Sequence, residues 1–333
     1  TCLMIRRPPR STRKESSAAS DVYKRQELKG TNKENMVVRD ILSHQAGLWP
    51  YLSHWSKTLD DNKIPDSKLY CYKVGDSIFC NRVSDDLFAS KYVEDSVWKW
   101  TMESDLIKPN DDGSYRYRYS DVGYYILVKV IEKVTNEPFE DYLDQTIYSP
   151  MGLTRLSYLP LRKFEKNEIA PTEEDDYFRK SLVQGTVHDQ GAAMLGGIAG
   201  HAGIFANTNE IAKLLQMNLQ KGYYGNRVYL VDGVIDTFTT KQFTDNRRAL
   251  GWDKPDLTGK GPTSEYTSPN CYGHSGFTGT CVWIDPDYDL IYIFLSNRVY
   301  PDAENKKLIR TDVRTRIHDA IYQSLVNFKR VDV

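Results

Sequence analysis

Apolar positions return at helical spacing in five places along this chain. In NMVVRDILSHQAGL (35–48), Val38, Ile41 and Leu42 make a short stripe, with Asn35 the expected cap and Gly47 the expected stop. In DVGYYILVKVIEKVTNEPF, Val122, Ile126, Val130 and Val134 recur every four residues, with Leu127 and Ile131 beside them. This predicts an amphipathic helix of about 14 residues. Pro138 opens a further helix through Ile147, which SPMGL ends. Asn207 with Glu210 resembles a capping box, and Ile211, Leu214, Leu215 and Leu219 form the buried side of the helix it starts. The last helix is expected from Lys306 to Phe328, with Ile309, Val313, Ile317 and Ile321 on one side.

Strand signals are concentrated late in the chain. TGTCVWIDPDYDLIYIFLSNR holds two β-runs around a turn at Pro286–Asp289, the pattern of a hairpin. Residues 50–115 read as polar, aromatic and irregular, with weak helical segments over 83–107, and residues 156–185 as charged loop. GAAMLGGIAGHAGIF (191–205) is apolar and dense in glycine, which points to tight backbone packing or to backbone approaching a ligand. No internal repeat is visible. A helix-rich body, then antiparallel strands, then a terminal helix fits an α+β fold with helices on an antiparallel sheet.

Length and composition narrow the class. The 333 residues suffice for one large domain or two smaller ones, and 40% hydrophobic with 27% charged content is globular. The 23 tyrosines suit amphipathic packing first and a carbohydrate- or peptide-facing cleft second. A formal net charge of −1 argues against nucleic acid as a partner. No stretch approaches the roughly 20 apolar residues that span a bilayer, so no transmembrane segment is expected. The five cysteines match no zinc spacing; Cys71 and Cys80 are close enough for a disulfide, and Cys271 and Cys281 read as free thiols.

Residues 1–26 stand apart. Arg6, Arg7, Arg10, Arg13, Lys14, Lys24 and Arg25 face only Glu15 and Asp21 there, a local net charge of +5. No hydrophobic period or apolar h-region accompanies them. The segment resembles translated sequencing-adaptor sequence, above all at SSAASDVYKRQ, and is set aside as a non-native or disordered tail. The genuine domain is expected over 27–333, mainly helical over 36–220, with the sheet and C-terminal helix over 245–330. On that view the missing leader says nothing about compartment.

Three short motifs follow in order. VRDILSHQAGL (38–48) is a helix running into Leu-x-His-x-x-Gly-Leu. Tyr119-Ser120-Asp121 heads the 14-residue helix. His274-Ser275-Gly276 with Phe277-Thr278-Gly279 lies 155 positions further on, where the strands begin. Each is common alone, but the ordered set resembles the serine β-lactamase and penicillin-binding-protein superfamily, nearest its class C-like and esterase branch. The resemblance spans about residues 27–327, with GGIAGHAGIF and the helix after it matching the family's glycine-rich segment.

The resemblance implies acyl transfer through a serine ester, with no cofactor and no metal. Tyr119 becomes the partner base, a phenol whose ordinary pKa near 10 a neighbouring lysine would lower. His274 would bind the substrate carboxylate or assist the proton relay. Gly276 would permit close approach, Phe277 would lend its N–H to an oxyanion hole, and Ser275 would hydrogen-bond the substrate. Gly200 and His201 are candidate cleft-lining residues. Tyr119 and the strand edge at 274–277 are then expected to face one cleft. One departure matters: Asp121 stands where the family usually has Asn, and an ionised carboxylate cannot donate a hydrogen bond as an amide can. Amide or lactam recognition is thereby in doubt, and esterase-like specificity stays open.

The family's Ser-x-x-Lys has no fitting match. Ser11-Thr-Arg-Lys14 lies in the suspect tail, and Ser96-Val-Trp-Lys99 follows the first motif instead of preceding it. The nucleophile is expected to be encoded upstream of Glu27, roughly 40–55 residues before Leu42, with room for a fused glycosidase domain. The parent is then a hydrolase of small-molecule or cell-wall peptide or ester substrates, periplasmic or at the cell surface, and this chain an inactive piece. Two other readings compete. One is a metallohydrolase built on His188-Asp189, His201 and Glu173, although their spacing fits no helix-borne motif. The other is a non-catalytic relative that binds cell wall or glycan.

Overall fold

The computed structural model describes residues 28–331 apart from 74, 257, 259 and 260, so the expectation for residues 1–26 lies outside the described residues. The chain divides into two compact units, with the break between Ala206 and Asn207.

In the first unit, α1 is Val38–Leu42. It starts later than Asn35 suggests, because Lys33 and Met36 are already joined in a backbone turn. It stops before Gly47, because His44 takes the left-handed conformation at φ 61°. The supposedly irregular stretch 50–115 holds a small antiparallel sheet: β1 (Tyr70–Tyr72), β2 (Asn81–Arg82) and β3 (Leu87–Ala89), with β3 between the others. Helix α2, Lys91–Glu103, follows it. Helix α3 is Val122–Thr135, the full predicted length, and ends on Asn136 at φ 57°. Val122, Ile126, Leu127 and Ile131 are buried, but Val134 is 42% exposed. Each such buried side chain contributes roughly 1.5–3 kcal/mol. Helix α4 (Phe139–Leu143) runs on into a wider turn over Asp144–Tyr148.

A second hairpin, β4 (Pro171–Asp175) with β5 (Ser181–Gln184), stands where charged loop was expected. Arg179 between them explains why so polar a segment folds. It is buried against Asp175 Oδ2 (3.0 Å) and donates to the carbonyls of Val83 (3.0 Å) and Val187 (2.8 Å). Short helix α5, Gln190–Met194, enters the glycine-dense segment. The main core of this unit gathers Tyr70, Val83, Leu87, Val93, Val97, Tyr125, Phe178 and Met194.

The second unit begins with α6, Thr208–Leu219, capped by Asn207 Oδ1 on the Glu210 N–H at 3.0 Å. A two-stranded ribbon, β6 (Tyr223–Tyr224) and β7 (Arg227–Val228), and α7 (Val234–Thr239) follow. The three-stranded antiparallel sheet has order β10–β9–β8, with β8 Tyr272–Ser275, β9 Cys281–Asp285 and β10 Leu290–Phe294. Asp285 pairs with Leu290 around the expected turn. Helix α6 packs on β9 and β10. The C-terminal helix is broken into α8 (Lys307–Arg310) and α9 (Val313–Val331), with Asp312 at φ 50° between them. Its buried side matches the expected one only in part: Ile321 packs against Cys271, Cys281, Trp283 and Tyr292. Ile309 and Ile317 are exposed, whereas His318 and Tyr322 are buried, and Tyr322 donates to Asp285 Oδ2 at 2.5 Å. Two helices flank an antiparallel sheet here, and the fold is α+β. Cys71, Cys80, Cys271 and Cys281 are all free thiols, so Cys71 and Cys80 form no disulfide.

Candidate active site

The first two motifs meet inside the first unit. Gly123 lets α3 lie directly on α1: a Cβ there would come within 2.5 Å of Ile41 Cγ2. His44 is buried at the end of this contact, and its Nδ1 accepts the Ser120 N–H at 3.2 Å. Its ring lies 4.4 Å from that of Tyr119 and 5.7 Å from that of Tyr124. Ser120 donates to the Trp49 carbonyl at 2.6 Å and caps the Val122 N–H, and the Asp121 N–H reaches the Pro50 carbonyl. The motif's middle serine is therefore structural. It locks the turn so that Tyr119 stays 39% exposed above buried Ser120, His44 and Tyr124. His44 was quoted in the sequence motif but given no role; its left-handed backbone and its imidazole build the seat of Tyr119.

Asp121 lies at the head of α3, where its carboxylate accepts the Tyr119 hydroxyl. Burial lifts its carboxyl above the usual range. His201 pulls it back, Asp189 pushes it up, and the Tyr119 hydrogen bond lowers it. His201 is buried, with Nε2 2.8 Å from Asp189 Oδ1. Gly200 is buried, and a Cβ there would sit 2.7 Å from the Tyr124 carbonyl oxygen, so it packs the loop against α3. The glycines of this loop thus serve tight packing.

The third motif lies in the second unit, on β8 and the turn after it. His274 Nδ1 is 2.9 Å from the Ser275 carbonyl, and Nε2 is 3.1 Å from Arg248 Nη1. A guanidinium can only donate and a carbonyl can only accept. The ring therefore carries its proton on Nδ1 and is neutral. Burial first, and the Arg248 charge second, push His274 down to about 4. A neutral His274 carries no cation at neutral pH and keeps one nitrogen lone pair, held by Arg248. The charge beside the strand belongs to Arg248 and Arg247, which share Asp253 at 3.5 Å and 2.7 Å. Sequence reading missed both arginines, which lie outside any motif. Gly276 is required by the turn itself, since a Cβ would meet Thr280 Oγ1 at 2.4 Å, and its N–H goes to the Thr280 carbonyl. Ser275 is exposed, and Phe277 is 65% exposed with the Arg298 guanidinium 4.8 Å above its ring.

Two alternatives can be weighed against the geometry. Ser96 is buried on α2, while Lys99 is 70% exposed and lies 3.9 Å from Glu103. Ser11 and Lys14 lie outside the described residues. The supposed metal ligands fall into two separate pairs, His188 with Glu173 at 2.7 Å and His201 with Asp189. Among the described residues no three His, Cys, Asp or Glu side chains converge to hold a metal ion.

Comparison with known proteins gives this geometry its family. The sequence model of the family described as Beta-lactamase matches residues 16–315. The chain belongs to the Beta-lactamase family. A Bacillus subtilis (strain 168) relative named N-acetylmuramyl-L-alanine amidase is 37% identical over 217 residues, which is 59% of this chain and 48% of that protein. One from Escherichia coli (strain K12), named "Putative D-alanyl-D-alanine carboxypeptidase", is 36% identical over 206 residues, 58% of this chain and 48% of the other. The match thus spans about half the length of these curated relatives. Among solved structures, a penicillin-binding protein homologue from Caulobacter crescentus shares the fold at TM-score 0.55 and 15% identity, covering 84% of this chain and 70% of its own. A D-stereospecific amidohydrolase from Streptomyces does so at TM-score 0.52 and 15% identity, covering 82% and 73%.

Proposed function

We propose that this chain is the Tyr119- and His274-bearing part of a serine acyl hydrolase, acting through an acyl-enzyme on peptide, lactam or ester carbonyls. Tyr119 is the proton-transfer group of that reaction. Ser275, Gly276 and Phe277 are the carbonyl-facing edge, and Asp121 tunes the phenol. The observation that carries this reading is the seat of Tyr119: a half-exposed phenol, hydrogen-bonded to Asp121 and backed by His44, at the head of a helix in a Beta-lactamase-family chain. The relatives' names, an alanine amidase and a D-alanyl-D-alanine carboxypeptidase, favour cell-wall peptide as the substrate class and a periplasmic or surface location. The chain as it stands is proposed to be inactive, because its Ser96–Lys99 pair is turned apart.

A fluorescent penicillin and a fluorophosphonate probe test this directly. The chain alone should take up neither. A longer protein that supplies Ser-x-x-Lys upstream should label, and should lose that labelling on Tyr119→Phe. Labelling of the chain alone would refute its inactivity. A longer protein that binds cell-wall peptide but never labels would show a binding relative instead.

A further inference from the structure

The first unit holds a cavity of about 490 Å³ between the single turn His54–Thr58 and the last turns of α2. Its lining residues are not those that seat Tyr119. Small-ligand sites run from about 300 to 1,000 Å³, and this one lies within that range. Its walls are fixed. His54 is buried, and its Nε2 lies 3.2 Å from Thr101 Oγ1 on α2. Thr101 spends its own hydrogen on the Val97 carbonyl at 2.7 Å, so the imidazole donates here. Buried Lys33 donates to the Met102 carbonyl at 3.1 Å and holds the end of α2 in place.

Half-buried Trp100 forms one wall, with the His54 ring 5.6 Å from its own. The Lys57 ammonium lies 5.0 Å above that indole, and Glu103 lines the cavity further along α2. These two charges are opposite in sign, and among the described residues they make no ion pair with each other. Lys57 rests on an aromatic face. Glu103 lies 3.9 Å from Lys99, a solvated pair of small worth. Ser56 donates to the Ser53 carbonyl at 2.7 Å, and Ser104 to the Thr101 carbonyl at 2.8 Å. With their hydrogens used, these hydroxyl oxygens can meet a ligand only as acceptors.

We propose that this cavity is a ligand site separate from the seat of Tyr119, and that it takes a zwitterion of amino-acid to dipeptide size. Lys57 receives the carboxylate. Glu103 and the serine oxygens receive the ammonium. The Trp100 indole covers the aliphatic stretch between them. The pattern of charge carries this choice. A neutral sugar would leave Lys57 and Glu103 unanswered as it displaced their water, and a simple anion would be opposed by Glu103. A molecule with one charge of each sign at its two ends answers both groups. The indole adds apolar area beside a polar rim, which suits a short backbone with small side chains. The inference needs no nucleophile and stands apart from the hydrolase reading.

Titrating the full chain with the dipeptide alanylalanine tests it, read from the Trp100 indole 1H–15N signal, which Trp100→Phe assigns by its loss. The free dipeptide should move that signal. N-acetyl-alanylalanine, which lacks the ammonium, and alanylalanine amide, which lacks the carboxylate, should each bind about fivefold to tenfold more weakly. Lys57→Met should erase the difference between the dipeptide and its amide, and Glu103→Gln the difference between the dipeptide and its acetyl form. Both side chains are exposed, so both variants should keep the fold. An unmoved Trp100 signal, equal binding of free and blocked peptides, or a loss shared equally by all three peptides in both variants overturns the proposal. So does N-acetylglucosamine moving the signal as strongly as the dipeptide, which would mark a sugar site. A longer protein that never labels with penicillin would remove the hydrolase reading and leave this titration standing.

Discussion

Replacing Arg248 by methionine should turn His274 from a silent imidazole into one that titrates within two units of neutrality. In the native arrangement Arg248 Nη1 donates to His274 Nε2 at 3.1 Å, and Nδ1–H is spent on the Ser275 carbonyl at 2.9 Å. Protonating the ring would place two cations side by side. At about 4 Å and an effective dielectric near 20, their repulsion is about 4 kcal/mol. At about 1.4 kcal/mol per unit, this corresponds to roughly three pH units at most. Asp253, paired with both arginines, offsets part of it, and burial continues to oppose the charge in the variant. A rise of about one to two units from the native value of about 4 is therefore expected. Long-range 1H–15N spectra of the His274 ring between about pH 3 and 9 would follow it. The wild-type chain should show the Nδ1–H tautomer throughout the neutral range. A dominant Nε2–H tautomer, or an Arg248→Met midpoint equal to the wild type, would refute the reasoning. The outcome bears on function, because it decides whether a carboxylate near β8 would meet a pH-independent guanidinium or a titrating imidazole.

Two further tests concern stability. Asp175→Ala leaves the buried Arg179 without its carboxylate and strips the cap from the Tyr177 and Phe178 N–H groups, so the first unit should lose about 3–5 kcal/mol in urea unfolding; a loss under about 1 kcal/mol would mean the pair is solvated. His54 and His318 are both buried, and burial pushes each down to about 4. Unfolded histidine protonates near 6.5, so below that the unfolded chain takes up protons that the folded chain refuses. Their contribution is complete above about pH 6.5 and drains away as the pH falls toward about 4, so the unfolding free energy from urea titration should drop by a few kcal/mol over that window, and the midpoint with it. Equal midpoints at both ends would show that these rings are charged in the fold.

Much of the fold was legible because helices report themselves locally. The four-residue recurrence from Val122 to Ile131 gave α3 its length, the Asn207 cap gave α6 its start, and Pro286–Asp289 gave the β9–β10 turn. The misses share one cause. The strands of the small β1–β3 sheet and of the β4–β5 hairpin are only two to five residues long, too short for a period to show, and distant groups hold them, as Arg179 does through Val83 and Val187. The same holds for the terminal helix: Ile309 and Ile317 have the right period, but packing instead chose His318 and Tyr322, the latter because Asp285 waits for its hydroxyl.

The order of motifs along the chain, through its resemblance to a known family, was enough to place this protein among the Beta-lactamase family, and periodicity and turn chemistry, as properties of neighbouring residues, placed most of its helices. The charge states at its site were not available from that order. Neutral His274, the Asp189–His201 pair and the seat that His44 builds for Tyr119 depend on partners 26, 12 and about 75 positions away. Proton affinity is set by burial and by the nearest charge in space, and only the tertiary structure decides which charge that is.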